Sequence, residues 1–114
     1  MLIETKTITV KAGTAQLVVD RFSKPGAIET IEGFIDMSIM VKNGRRSDET
    51  EEVIVMIRWE DKEAWKRWET SEVHIQGHRE RRGKPKPEHI ISSEHGMYEV
   101  KAVKGPRTAE TSNL

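Results

Sequence analysis

Phe34–Val41 carries apolar side chains at every second position, Ile35, Met37, Ile39 and Val41, with Asp36 and Ser38 between them. A period of two fits a strand with one buried face and fits no helix. Asn43-Gly44 opens a polar loop running to Glu52, and Val53–Trp59 is a second β-rich run, so the two predict a long hairpin. A hairpin in mid-chain must be covered by whatever flanks it, and that restricts the folds available. Upstream, Leu2–Val10 mixes Leu2, Ile3, Ile8 and Val10 with threonines, a strand composition. Thr14 then caps a helix bearing Ala15, Val18 and Phe22, which Lys24-Pro25-Gly26 ends near Ser23. Downstream, Asp61 caps a helix from Lys62 to about Thr70, and a second runs from about Glu72 to Arg82, closed by Gly83 and Pro85. Gly96–Val103 reads as a last strand, with Tyr98, Val100 and Ala102 on one face.

The order β-α-β-β-α-β predicts an α+β, ferredoxin-like fold, an antiparallel sheet with helices on one face. The other face needs a cover, and a partner sheet from a homodimer is the simplest one. Residues 1–104 form one domain in this reading, and 105–114 a flexible polar tail.

The chain has no cysteine, which excludes disulfides, thiolate-bound haem and iron–sulfur ligation and fits a reducing compartment such as the cytoplasm. Runs such as Val53–Ile57 are too short to span a bilayer, so no membrane partner is expected. Met1–Val10 has no basic flank leading into an apolar block, so no signal peptide is expected. The formal net charge is zero, which does not favour nucleic acid as a partner.

Trp59, Trp65 and Trp68 put three indoles into ten residues, and Trp65 and Trp68 share a helix face. Core packing is the ordinary meaning of such a pair; a flat aromatic wall for a planar ligand is the sharper one. His74 and His78 stand one turn apart. Two surface histidines, a zinc pair lacking a third ligand, and one axial haem ligand are the readings open. His78 lies roughly 60° from Ile75 on a helical wheel, at the edge of an apolar stripe. The basic run Arg79–Lys86 suits a solvated helix end or the carboxylates of an anionic ligand. No phosphate-cradling glycine motif, serine elbow or thiol nucleophile is present.

Three stretches in order, Ile31-Glu32-Gly33-Phe34, Trp59–Trp68 (WEDKEAWKRW) and Ser71–His78 (SEVHIQGH), together with Met1–Gly13 and a helix ending in Arg21-Phe22, resemble the haem-degrading monooxygenases of the IsdG type, within the antibiotic-biosynthesis monooxygenase superfamily. The histidine ten residues after the second helical tryptophan marks the haem branch. The resemblance implies a dimeric α+β barrel with haem between helices and sheet in each monomer. It implies His78 as the iron ligand, Trp68 as the indole that ruffles the porphyrin, and Phe22 as a pocket wall. Haem would be both substrate and cofactor, opened by O2 with electrons from an external reductase, releasing iron. His74, His89 and His95 are expected to be dispensable for haem binding. Where the family has an asparagine on the first strand, this chain has Lys6. Its four-carbon stem lets the charge swing toward a propionate or Glu4 rather than toward bound oxygen. A cofactor-independent oxygenase of a quinone-like aromatic and a weakly catalytic haem-binding module are the alternatives.

Overall fold

The computed structural model describes residues 1–43 and 49–107. Its elements are β1 (Leu2–Lys11), α1 (Ala15–Ser23), a 3-10 turn (Ala27–Thr30), β2 (Phe34–Val41), β3 (Thr50–Trp59), α2 (Lys62–Glu69), α3 (Glu72–Arg81) and β4 (Ile90–Glu99). The four strands form one antiparallel sheet in the order β2-β3-β1-β4, the ferredoxin-like arrangement.

The register divides the side chains. Glu4 pairs with Ile57, Lys6 with Val55 and Ile8 with Val53, so Leu2, Glu4, Lys6, Ile8 and Val10 share a face with Val53, Val55, Ile57 and Trp59. That face meets the helices. Val10, Val18, Val53, Val55, Trp59 and Ala64 are fully enclosed there. Gly33 sets how α2 docks. Its φ is +92°, and a Cβ added to it would collide with the Ala64 methyl, so only glycine fits. The carbonyls of Gly33 and Glu32 accept from Glu60 N at 2.8 Å and Arg67 Nη1 at 2.8 Å.

Four expectations need correction. The phase of β2 shifts at an irregularity between Phe34 and Asp36. Phe34, Met37, Ile39 and Val41 therefore face the helices, and Ile35 sits at the bulge. The second hairpin strand begins at Thr50, not Val53; residues 44–48 of the expected loop lie outside the described residues. The last strand is Ile90–Glu99, not Gly96–Val103. It pairs with β1 from Ile90 onward, and Val100 N donating to Met1 O at 2.9 Å is its final tie. Tyr98 is 59% exposed, on the side away from the helices. Thr14 occupies the N-cap of α1 without capping it: its hydroxyl donates to Lys11 O, while Glu51 of β3 accepts from Gly13 N at 2.6 Å and Ala15 N at 3.3 Å. A carboxylate at that end also suits the helix dipole.

The remaining helix boundaries follow the sequence. Asp61 accepts from Ala64 N at 2.9 Å, and Ser71 accepts from His74 N at 3.3 Å. Residues 101–107 form no element, and 108–114 of the expected tail lie outside the described residues. The sheet face away from the helices carries Ile3, Thr5, Thr7, Thr9, Met40, Ile54 and Met56, with an Asp36–Arg58 ion pair whose closest oxygen and nitrogen are 2.5 Å apart. Arg58 holds Asp36 below the usual carboxylate range.

Candidate functional site

A cleft of about 380 Å³ opens between the helices and the sheet, within the size range of small-molecule sites. Its floor is sheet, Met37, Val55, Ile57 and Glu4, with the exposed Lys6 at the edge. Phe22 and Arg21 close it from α1, Trp68 from α2, and His74, His78 and Arg81 from α3. Lys6, Phe22, Trp68 and His78, four residues from four elements, thus line one space. Trp65 takes the other role open to the indole pair and packs on the core; its buried Nε1 has no partner among the described residues.

The aromatic wall continues as a stack. Trp68 and His74 have ring centroids 4.7 Å apart, and His74 and His78 are edge-on at 4.5 Å. Glu69 Oε2 is 3.0 Å from His74 Nε2, and His78 Nε2 is 3.0 Å from that same nitrogen. One ring donates to the other across this Nε2–Nε2 contact, and the tautomer decides which. Desolvation holds His78 below the usual histidine range; His74, Arg81 and Lys6 push the same way, against Glu69. Its neutral form, the one able to ligate a metal, is thereby favoured. Among the described residues no three such side chains are arranged to hold a metal ion by themselves.

The rim is cationic. Lys6, Arg21, Lys24 and Arg81 line the cleft against Glu4 and Glu29. Lys6 Nζ and Arg21 Cζ lie 6.0 and 5.3 Å from the centre of the Phe22 ring. Lys6 forms no ion pair with Glu4, contrary to one course expected for its stem. Both Glu4 oxygens are taken: Trp59 Nε1 donates to Oε1 at 3.2 Å, and His95 Nε2 lies 2.7 Å from Oε2. The sequence reading gave Glu4 and His95 no place in the site. His95 sits across the strand pair from Lys6 and lines a second lobe of about 290 Å³, which shares Lys6, Arg21 and Phe22 with the first. The basic run also contributes, through Arg81 to the main cleft and Lys86 to the second lobe.

The profile of the family described as antibiotic biosynthesis monooxygenase matches residues 1–80. The haem-degrading monooxygenase HmoA of Bacillus subtilis is 52% identical over 104 residues, 91% of this chain and 94% of that one. A Bacillus cereus crystal structure assigned as an antibiotic biosynthesis monooxygenase is 53% identical, with a TM-score of 0.79 over 92% of this chain and 97% of that chain. The haem degrader MhuD of Mycobacterium tuberculosis, solved with two haems in its active site, superposes with a TM-score of 0.64 over 92% of this chain and 100% of its own, at 21% identity, a likeness of fold.

Proposed function

The chain belongs to the antibiotic biosynthesis monooxygenase family, and from that membership we propose that it is a haem-degrading monooxygenase, which opens the haem ring with O2 and electrons from an external reductant and releases iron. The observation that carries this reading is the His78 imidazole, shifted toward its neutral form, lining one cleft with the Trp68 indole. The cleft suits haem in three further respects. Met37, Val55 and Ile57 give an apolar floor for the porphyrin plane; Trp68 and Phe22 give aromatic walls; and the cationic rim suits two propionates. Bound haem supplies the iron at which O2 is activated, and the ring itself is what becomes oxidised.

In this reading His78 would hold the iron through Nε2, parting from His74 Nε2, which otherwise meets it. Trp68 would press on the porphyrin from α2, and Lys6 would approach it from the sheet. Two chains close a barrel over the Ile3–Ile54–Met56 face, and sedimentation is expected to give a mass twice that of one 13.1 kDa chain; a monomer at micromolar concentration would count against it. The absence of cysteine fits a cytoplasmic setting, where a reductase supplies electrons.

Haem titration followed by ascorbate in air tests the function. A sharp Soret band that decays with release of iron is expected; an apoprotein that gives no such band would point instead to a cofactor-independent oxygenase of another aromatic. Lys6→Asn is expected to leave haem affinity within a few-fold and to speed loss of the Soret band. In the wild type the ammonium rests by the Phe22 ring, where a cation gains roughly 0.5–1 kcal/mol, rather than donating to oxygen. Fast wild-type turnover that falls in Lys6→Asn would make the lysine itself the distal donor.

A further inference from the structure

Among the described residues Glu4 is the one charged side chain in the buried core, 3% exposed among Leu2, Ile8, Val55, Ile57 and Trp59. A carboxylate at such a position is costly unless donors surround it. The fold supplies two, Trp59 Nε1 at 3.2 Å and His95 Nε2 at 2.7 Å. The two donors differ in what they can do. An indole N–H at neutral pH holds a proton permanently, whereas an imidazole gives one up and takes another. The His95 side chain is 45% exposed and the Glu4 side chain 4%. Together they span from solvent to the wall of the cleft, because Glu4 lines the main lobe and His95 the second. Apart from Glu4, the His95 side chain has no hydrogen-bond partner among the described residues, and its half-exposed ring meets water.

Resting on the haem-degrading reading above, we propose that His95 and Glu4 are the path by which solvent protons enter the cleft. A monooxygenase step inserts one atom of O2 and releases the other as water, consuming two electrons and two protons. The reductant supplies the electrons, and none pass through this pair. A proton arrives at His95 Nδ1 from water, the Nε2 proton passes to Glu4 Oε2, and the resulting acid turns its O–H about the C–O bond and gives the proton to water in the cleft. His95 resets by losing its Nδ1 proton and regaining one on Nε2 through water. Trp59 holds Oε1 throughout, which keeps the carboxyl group in place while the O–H turns. Lys6, on the neighbouring position of β1, and Arg21, Lys86 and Glu94, which line the lobe around His95, are the other charged groups facing the path.

The experiment compares wild type, Glu4→Gln and His95→Ala, each loaded with haem and given ascorbate in air, in H2O and in D2O. Glu4→Gln keeps the shape and can still accept from Trp59, but it cannot carry the proton. Both variants are expected to bind haem within about threefold of wild type and to open the ring at least tenfold more slowly, the lower end of what proton donors contribute being about 100-fold. Adding free imidazole to His95→Ala is expected to restore much of the rate and to do nothing for Glu4→Gln. The wild-type solvent isotope effect should change in both variants. Haem-loaded Glu4→Gln turning over at the wild-type rate, with the wild-type isotope effect, overturns the proposal. A slow His95→Ala that imidazole does not rescue overturns the relay even if Glu4→Gln fails to fold. A wild-type protein that leaves bound haem intact is a different result, and sinks the haem-degrading function itself.

Discussion

Replacing His78 with alanine is expected to erase the spectrum of histidine-bound haem and to weaken haem binding by at least about tenfold, while His74→Ala keeps the histidine-type Soret band. Fixing the tautomer of a ligating imidazole is usually worth a factor of about 10–100, and losing the ligand should cost no less. The two histidines are not equivalent, although they sit one turn apart. His74 is the more buried, and its Nε2 lies 3.0 Å from the Glu69 carboxylate. His78 is exposed to the cleft, and among the described residues its Nε2 meets only His74 Nε2, a contact that iron can outcompete. The shift on His78 adds a pH signature. Because the ring is held below the usual histidine range, ligation should survive to more acidic pH than an unperturbed imidazole would allow. The stability consequence has the opposite sense. As pH falls past the ordinary value of 6.5, an unfolded chain takes up this proton before the folded one does, so acid draws stability away. Optical titration at several pH values checks both, and a wild-type spectrum from His78→Ala would sink the ligand assignment.

Much of this was legible in the sequence, and the parts that were not share a cause. The cap at Asp61 and the break at Lys24-Pro25-Gly26 follow from local chemistry, and the structure places them as expected, as it does the hairpin apart from the earlier start of its second strand. β4 escaped because its signal is not apolar. Ile90–Glu99 is an edge strand, and the positions it turns toward the helices include Ser93 and His95, which line the second lobe instead of the core. A strand that borders a cavity has no reason to alternate in hydrophobicity. The β2 bulge escaped because Ile35 continues the pattern of Met37 and Ile39 while the backbone does not. Glu51 at the N-terminus of α1, and His95 on Glu4, are contacts between residues 36 and 91 positions apart. No local spacing could announce them. Glu4 did leave one trace, a carboxylate next to Lys6 on the strand face that also holds Leu2, Ile8 and Val10.

That buried charge also decides what Trp59 is worth. Its indole is 0% exposed, meets the Phe34 ring edge-on at 5.6 Å, and donates to Glu4. Trp59→Ala should cost about 3–5 kcal/mol through the cavity it leaves, a large part of the stability of a domain this size. Trp59→Phe separates the two roles. A phenyl ring keeps much of the apolar contact but removes the N–H, leaving Oε1 of a buried carboxylate with no donor, which adds about 1–3 kcal/mol. Adding Glu4→Gln to Trp59→Phe should then recover part of the loss, because a neutral amide is cheaper to bury unpaired than a carboxylate. In the Trp59 background the same change should be mildly destabilising or neutral. The four proteins form a thermodynamic cycle measurable by urea unfolding, with a coupling between the two sites of about 0.5 kcal/mol or more expected for directly bonded groups. Losses that simply add would mean that Trp59 holds the core by volume alone, and that His95 by itself suffices to keep the Glu4 charge inside.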